Sequence, residues 1–461
     1  MTALADTTVD LARAQFALTS LFHFLFVPLT LGLAPLVAVM QTRWHRTGDE
    51  AWLRLTRFFG ALLLVNFAIG VATGLVQEFQ FGMNWAIYSE YVGGVFGAPL
   101  AIEGLAAFAL EATFIGLWVF GWDRLSPRVH LATIWLVALG TWLSAYFILV
   151  ANSWMQRPVG STVSGGEAHL TDVWALLSNR FALYAFTHTM LVGLTAGSLV
   201  VLGVSCWHLA RGRNVDLFRR AAALALVVAI PITVLNLVVG SRFGLATTDY
   251  QPMKIAAAEA LWDTEQPASF SLFQIGGFSE SDQDPSFSLD VPRLLSFLAT
   301  GTFTGKVEGL NQVQAAYEQQ YGPGNYIPPL RASYWGMRVM AYLGTLMALV
   351  AVVGGWLYRR GKLHTTRWYL WTAVVAIAFP FLAALAGWVL TEVGRQPWIV
   401  QGLLRTADAH SPGVSTTEVA ISLTAFALLY VALGVLDIVL MRRFARLDPP
   451  TVAAPSRLVA R

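Results

Sequence analysis

The sequence predicts an all-α membrane protein with nine transmembrane helices. Three observations carry that prediction: 56% of the 461 residues are hydrophobic and only 12% charged, the mean hydropathy is +0.58, and apolar stretches long enough to cross a bilayer recur along the whole chain. An ordinary soluble chain is roughly a quarter charged. Halving that share while carrying 17 Trp and 28 Phe leaves a surface suited to lipid. The same composition excludes a disordered chain, and a single cysteine, Cys206, excludes an internal disulfide. The net charge of +3 is scattered rather than gathered into a stripe, so no nucleic-acid partner is expected. Residues 1–10 carry two Asp and no Lys or Arg, so no cleavable signal peptide is expected either.

A spanning helix needs about 20 mainly apolar residues at about 1.5 Å rise each. The stretches 14–40, 54–80, 95–120, 129–151, 182–209, 219–240, 333–358, 368–391 and 417–441 qualify. An odd number puts the termini on opposite sides. Arg43, Arg46, Arg54 and Arg57 follow the first stretch, residues 81–94 hold no Lys or Arg, and Arg124 and Arg128 follow the third. The alternation continues through Arg211, Arg213, Arg219 and Arg220, then Arg359, Arg360, Lys362 and Arg367, then Arg442, Arg443 and Arg446. Positive charge marks the cytoplasmic side, so the N-terminus is expected outside and the C-terminus inside. Residues 1–240 then hold helices one to six, 241–331 a long outer loop, 332–441 helices seven to nine, and 442–461 a cytoplasmic tail. The loop shows no clear core pattern and reads as a functional or partly mobile segment. No inverted repeat of the transporter kind is visible.

An ionisable group inside a bilayer costs at least ~2.5 kcal/mol, so each is a functional candidate. They are few: His23 in helix one, Glu103 and Glu111 in helix three, His188 in helix five, Arg338 beside Met340 in helix seven, and Glu392 at the outer end of helix eight. Most fall in the outer half. Glu103 and Glu111 are eight residues apart, about 80° around an ideal helix and ~12 Å along it, and can share a face. A His/Met pair makes a six-coordinate, electron-transferring haem, whereas a singly ligated haem leaves a position for O₂. His188 with Met340 fits the first description and His23 the second. Buried carboxylates suit proton transfer, because desolvation favours their neutral form. The same residues also fit a proton-coupled transporter or plain helix-helix hydrogen bonding. In the outer loop, Lys254 and Glu259 are five apart, about 140° around a helix, so they share no face. They read either as flanking a bound head group or as part of a solvated helix on the membrane. His45, His130, His208, His364 and His410 lie in loops or at helix ends and are not expected to bind a cofactor.

Five runs carry a family resemblance: RAQFALTSLFHFLFVPLTLG, GVATGLVQEFQFGMNW, FGAPLAIEGLAAFALEATF, LVANSWMQRP and GWVLTEVGRQPW. Together, in this order, they resemble subunit I of cytochrome bd-type quinol oxidases over most of the chain. The resemblance implies that His188 and Met340 are the axial ligands of a low-spin haem b that takes electrons from quinol, with Arg338 beside it. It implies His23 and Glu392 as ligands of a high-spin haem b and a haem d, without saying which holds which, and Glu103 as a carboxylate at that dihaem site. A haem b in place of haem d, as in the cyanide-insensitive branch, stays open. Lys254 and Glu259 match the KxxxxE pair of the quinol-binding loop, here of the short type. Glu111 matches a carboxylate on the cytoplasmic proton route, with Ser144 on the same path, while Trp388, Arg395 and Trp398 pack around the haems. The family further implies quinol and O₂ as substrates, generation of proton motive force, a bacterial cytoplasmic (inner) membrane location, a homologous membrane subunit II and a small single-span subunit.

Overall fold

A computed structural model describes the backbone of residues 2–450 and the side chains from residue 7 onward. Among these residues nine helical stretches are long and apolar enough to cross a membrane. They are called spans 1 to 9: Thr7–Thr47, Glu50–Asn84, Ala86–Phe120, Pro127–Gln156, Val173–Ala210, Val215–Tyr250, Leu330–Arg359, Arg367–Val393 and Thr416–Arg446. The all-α membrane fold is the one expected; the sheets among the described residues are three two-stranded hairpins.

Several boundaries move, because helices continue past their apolar stretches. Span 3 starts at Ala86, so the predicted connection 81–94 shrinks to a joint at Trp85. Ser411 satisfies that joint, its hydroxyl donating to the Met83 carbonyl (3.0 Å) and accepting from the Ala86 N–H (2.9 Å). Span 6 runs to Tyr250, so the long loop after it begins at residue 251 rather than 241. Span 9 runs to Arg446, past the predicted start of the tail. Residues 451–461 of that tail lie outside the described residues.

Span 1 is two helices, Thr2–His23 and Val27–Thr47, rather than one straight helix over 14–40. Pro28 has no N–H to give and forces the break. Asn66 of span 2 braces the start of the second helix, its amide donating to the Phe26 carbonyl (2.9 Å) and to the Thr30 hydroxyl (2.8 Å). Span 3 contains a π-helical segment, Glu103–Phe108, just after Pro99. Such a segment takes one extra residue into the turn.

Spans 1–4 pack as a ring, each against the next and the fourth against the first. Spans 5–8 form a second ring in the same way. The rings join where spans 1 and 4 meet span 5, and span 9 lies against spans 1 and 2. At the join, Gly32 faces Gly193 and Gly197 so closely that a Cβ at any of the three would overlap its neighbour. Small residues four apart allow this backbone approach. At the basic end, guanidinium groups lie over tryptophans, Arg43 over Trp52 and Arg211 over Trp207, as at a membrane interface.

The loop of residues 251–329 is folded, contrary to the absence of a core pattern in its sequence. It holds helices Pro252–Glu259, Leu294–Thr300 and Leu310–Tyr321 and a hairpin, Phe270–Gly276 with Pro285–Val291. Its apolar residues meet across segments rather than along one. Met253, Trp262, Leu310, Val313 and Tyr326 form a core that closes on Trp398, and Phe270, Leu295 and Val307 form another.

Candidate functional site

His23 ends the first half of span 1, at the break. Its Nδ1 lies 3.0 Å from the Thr73 hydroxyl, and that hydroxyl donates onward to the Ile69 and Gly70 carbonyls. With the Thr73 hydrogen given to one of those carbonyls, its oxygen accepts from His23 Nδ1–H, and in that tautomer Nε2 keeps a free lone pair. A second hydrogen bond fixing the tautomer is how ligating histidines are held. Gly74 gives the ring room, since a Cβ there would stand 3.1 Å from its Cε1.

His188 and Met340 sit on spans 5 and 7, opposite members of the second ring. His188 Nδ1 is buried with no well-formed hydrogen bond, the Asn236 side chain of span 6 being the polar group that faces the ring, an unusual state for a polar atom in a helix core. The ring rests beside Gly240 of span 6, and Met340 Sδ rests on Gly387 of span 8, where a Cβ would come within 2.6 Å of the sulfur.

The carboxylates make a second line. Glu103 opens the π segment and accepts from the Ser144 hydroxyl at 2.5 Å, so Ser144 is attached to Glu103. The extra residue of the π turn takes back about 100°, bringing Glu103 and Glu111 closer to one face than an ideal helix would. Glu111 is buried, and Gly140 of span 4 lies against its backbone.

Glu392 anchors the junction of spans 4 and 8. Its oxygens accept from Asn152 Nδ2 (2.8 Å) and Arg395 Nη2 (2.5 Å). One turn beyond Asn152, Gln156 Oε1 accepts from Lys254 Nζ (2.6 Å) and Gln251 Nε2 (3.0 Å). Lys254 is therefore buried and aimed at this cluster. Burial pulls its ammonium down to about 7; the Arg395 charge adds to that and Glu392 opposes it. Glu259 faces elsewhere, accepting from Arg338 Nη2 at 2.6 Å. Arg338 also donates to the Ala258 and Ser271 carbonyls and stacks on Tyr334. Burial raises the Glu259 carboxyl and Arg338 opposes the rise. The solvated-helix reading does not hold, since Lys254 and Glu259 are 5% and 7% exposed. The two residues serve separate clusters, as their 140° separation requires.

The residues present fit haem. His23 Nε2 and His188 Nδ1 are uncommitted ring nitrogens, and Met340 offers a thioether. Arg395 Nε and Nη1 and Trp398 Nε1 are buried donors without partners beside Glu392, a set suited to the carboxylates of a haem. Trp388 stacks on Phe24 (4.8 Å), the residue after His23.

A family profile described as cytochrome bd terminal oxidase subunit I matches residues 11–449. The chain belongs to that family. It is similar to the cytochrome bd ubiquinol oxidase subunit 1 of Bacillus subtilis (strain 168), 45% identical over 94% of this chain and 92% of that one. It is also similar to the cytochrome bd-II ubiquinol oxidase subunit 1 of Escherichia coli (strain K12), 37% identical over 96% and 97%. Among solved structures, the bd oxidase from Geobacillus thermodenitrificans superposes with a TM-score of 0.85 at 29% identity, covering 95% of this chain and 98% of that one. A cytochrome bd subunit I is a multi-pass membrane protein of a terminal oxidase, it carries haem, and a subunit II is its counterpart. Several residues around these sites were not singled out from sequence: Thr73, Asn66, Asn152, Gln156 and Gln251. All are neutral amides or hydroxyls, which the bilayer penalises far less than charges, so nothing in an apolar stretch flags them.

Proposed function

We propose that this chain is the haem-bearing subunit of a quinol oxidase that takes electrons and protons from membrane quinol at the outer face and reduces O₂ to water with protons from the cytoplasm. The observation that carries it is the disposition of ligands: His188 and Met340 on opposite helices of one four-helix ring, His23 with a bare Nε2 in the other, and Glu392 where the rings meet. In this reading His188 and Met340 hold a low-spin haem b, and His23 and Glu392, with Glu103 beside them, hold a high-spin haem b and a haem d. When bound, these groups supply the one-electron relay and the iron that takes O₂. The chain's own residues handle the protons. Each quinol gives up two protons with its two electrons, and Glu259, held by Arg338 on the loop's first helix, is the acceptor for them on the outer side, with Lys254 on the same helix completing the quinol end. Glu111 and then Glu103, with Ser144 donating to Glu103, carry protons from the other side. Taking protons from the cytoplasm and releasing them outside generates proton motive force without a separate pump. The orientation follows the charge alternation, N-terminus outside, in a bacterial cytoplasmic membrane, with subunit II and a small single-span subunit as partners.

A reduced-minus-oxidised absorption spectrum of the purified complex, with and without CO, tests this. Bands of haem d beside haem b are expected. Haem b bands alone would put a haem b at the haem d position, and a colourless folded protein would overturn the proposal in favour of a proton-coupled transporter.

A further inference from the structure

The loop hairpin is amphipathic in the reverse sense for a segment outside the membrane. Its cross-strand pairs Phe273 with Leu289 and Ile275 with Phe287 are 41%, 53%, 54% and 53% exposed. On its first strand Phe270, Ser271 and Gln274 are buried, Ser271 bonded to the Tyr334 hydroxyl and Gln274 to the Gly276 carbonyl, while Ser286 and Asp290 of the second strand alternate with Phe287 and Leu289 and so point to the opposite face. In a strand pair facing water the alternation runs the other way.

The neighbours of this face say what covers it. Phe273 packs edge-on against Trp335 of span 7 (5.5 Å), and the Tyr342 hydroxyl donates to the Leu272 carbonyl. Tyr342 belongs to the outward surface of span 7, with Val339, Leu346 and Leu349 exposed alongside it. Arg359 and Arg360 mark the far end of that span. Counting back the roughly 20 residues of a bilayer core from Tyr358 reaches about position 338, so Tyr342 lies within the hydrocarbon layer. Side chains on a helix lean toward its N-terminus, which sets the Leu272 strand at the boundary of that layer. The hairpin tip, by contrast, carries exposed Glu280, Asp282 and Asp284, residues that stay in water.

We propose that the Phe273, Ile275, Phe287 and Leu289 face of this hairpin is immersed in the acyl chains of the outer leaflet, as a continuation of the lipid-facing surface of span 7. The hairpin is then a wall between lipid and the Arg338–Glu259 pair: Phe270 and the Ser271 carbonyl touch Arg338 on its inner side, and Phe273, two residues on, touches lipid. The inference rests on membrane placement and stands whether or not Glu259 accepts protons from quinol.

The test uses the whole complex in phosphatidylcholine nanodiscs, with a nitroxide on Ile275→Cys, Leu289→Cys or, as an aqueous reference, Glu280→Cys. Cys206 is buried, and signal from the complex without the added cysteine is subtracted. Positions 275 and 289 should be relaxed by dissolved O₂ and shielded from a water-soluble nickel chelate, with the reverse ratio at 280. Nickel access at 275 and 289 equal to that at 280 would place the face in water. Shielding from both relaxants would place it under protein. Either result overturns the proposal. Phe287→Cys reports on the same face should one variant fail to assemble.

Discussion

Thr73 decides which nitrogen of His23 is bare, and the consequence is measurable. Thr73→Val removes the acceptor that fixes the tautomer, and loss of such an outer partner typically costs about 10–100-fold in ligation. The variant should show a haem deficit in the spectrum at the His23 site while the low-spin bands persist. Glu259→Leu strands the buried guanidinium of Arg338, a loss of about 3–5 kcal/mol by analogy with broken buried pairs, read as a lowered denaturation midpoint. Lys254 links the same helix to pH. Its folded value of about 7 lies below the ordinary lysine range, so from about pH 7 to about pH 10 the unfolded chain holds more protons and stability rises with pH. Thermal midpoints across that window should climb more steeply for the parent than for Lys254→Met, and parallel slopes would refute the assignment. At this scale the sequence singled out charge and imidazole in apolar surroundings, as at His23, His188, Glu103 and Glu392. It was silent about Thr73, Asn152 and Gln156, whose partners lie on other spans.

Among the elements, the π segment of span 3 carries the sharpest expectation. Deleting Ala106 would return Glu103–Phe108 to α-helix with seven steps between Glu103 and Glu111, about 700°, which keeps the two carboxylates near one face. The Ser144 contact and steady-state O₂ consumption should therefore survive this deletion with the haem bands intact; a collapse in turnover would show that the π turn itself, rather than the alignment, is what matters. Asn66→Leu removes a donor from the Phe26 carbonyl and the Thr30 hydroxyl while the Thr30 N–H still bonds that carbonyl, a loss of about 0.5–1.5 kcal/mol per hydrogen bond read as a lowered denaturation midpoint. Pro28 stood in plain view, yet an apolar run with prolines at 28 and 35 reads as a single helix, because membrane helices tolerate proline when neighbours re-satisfy the backbone, and Pro35 is indeed inside a helix. The side chain that braces the break at Pro28 is Asn66, 40 residues from Phe26, which periodicity cannot reveal. The loop was illegible for a related reason: its core is assembled from residues such as Met253, Leu310 and Trp398 that no single window contains.

For the molecule as a whole, apolar length predicted the nine spans well, whereas their grouping into two rings depends on contacts between distant segments. The Gly193–Gly197 spacing was the available signal for the join. Gly197→Leu should push span 5 off Gly32 and separate the rings, with the complex failing to co-purify with its haem. Span 9 adds something about manufacture. It lies against the first half of span 1, where Tyr430 stacks on Phe22 at 4.6 Å and Ser422 bonds Gln15 across 407 positions of chain. Phe22 adjoins His23. His23, on the first of the nine described spans, is therefore packed in place by the ninth, so the surroundings of that histidine are completed only after all nine have been synthesised.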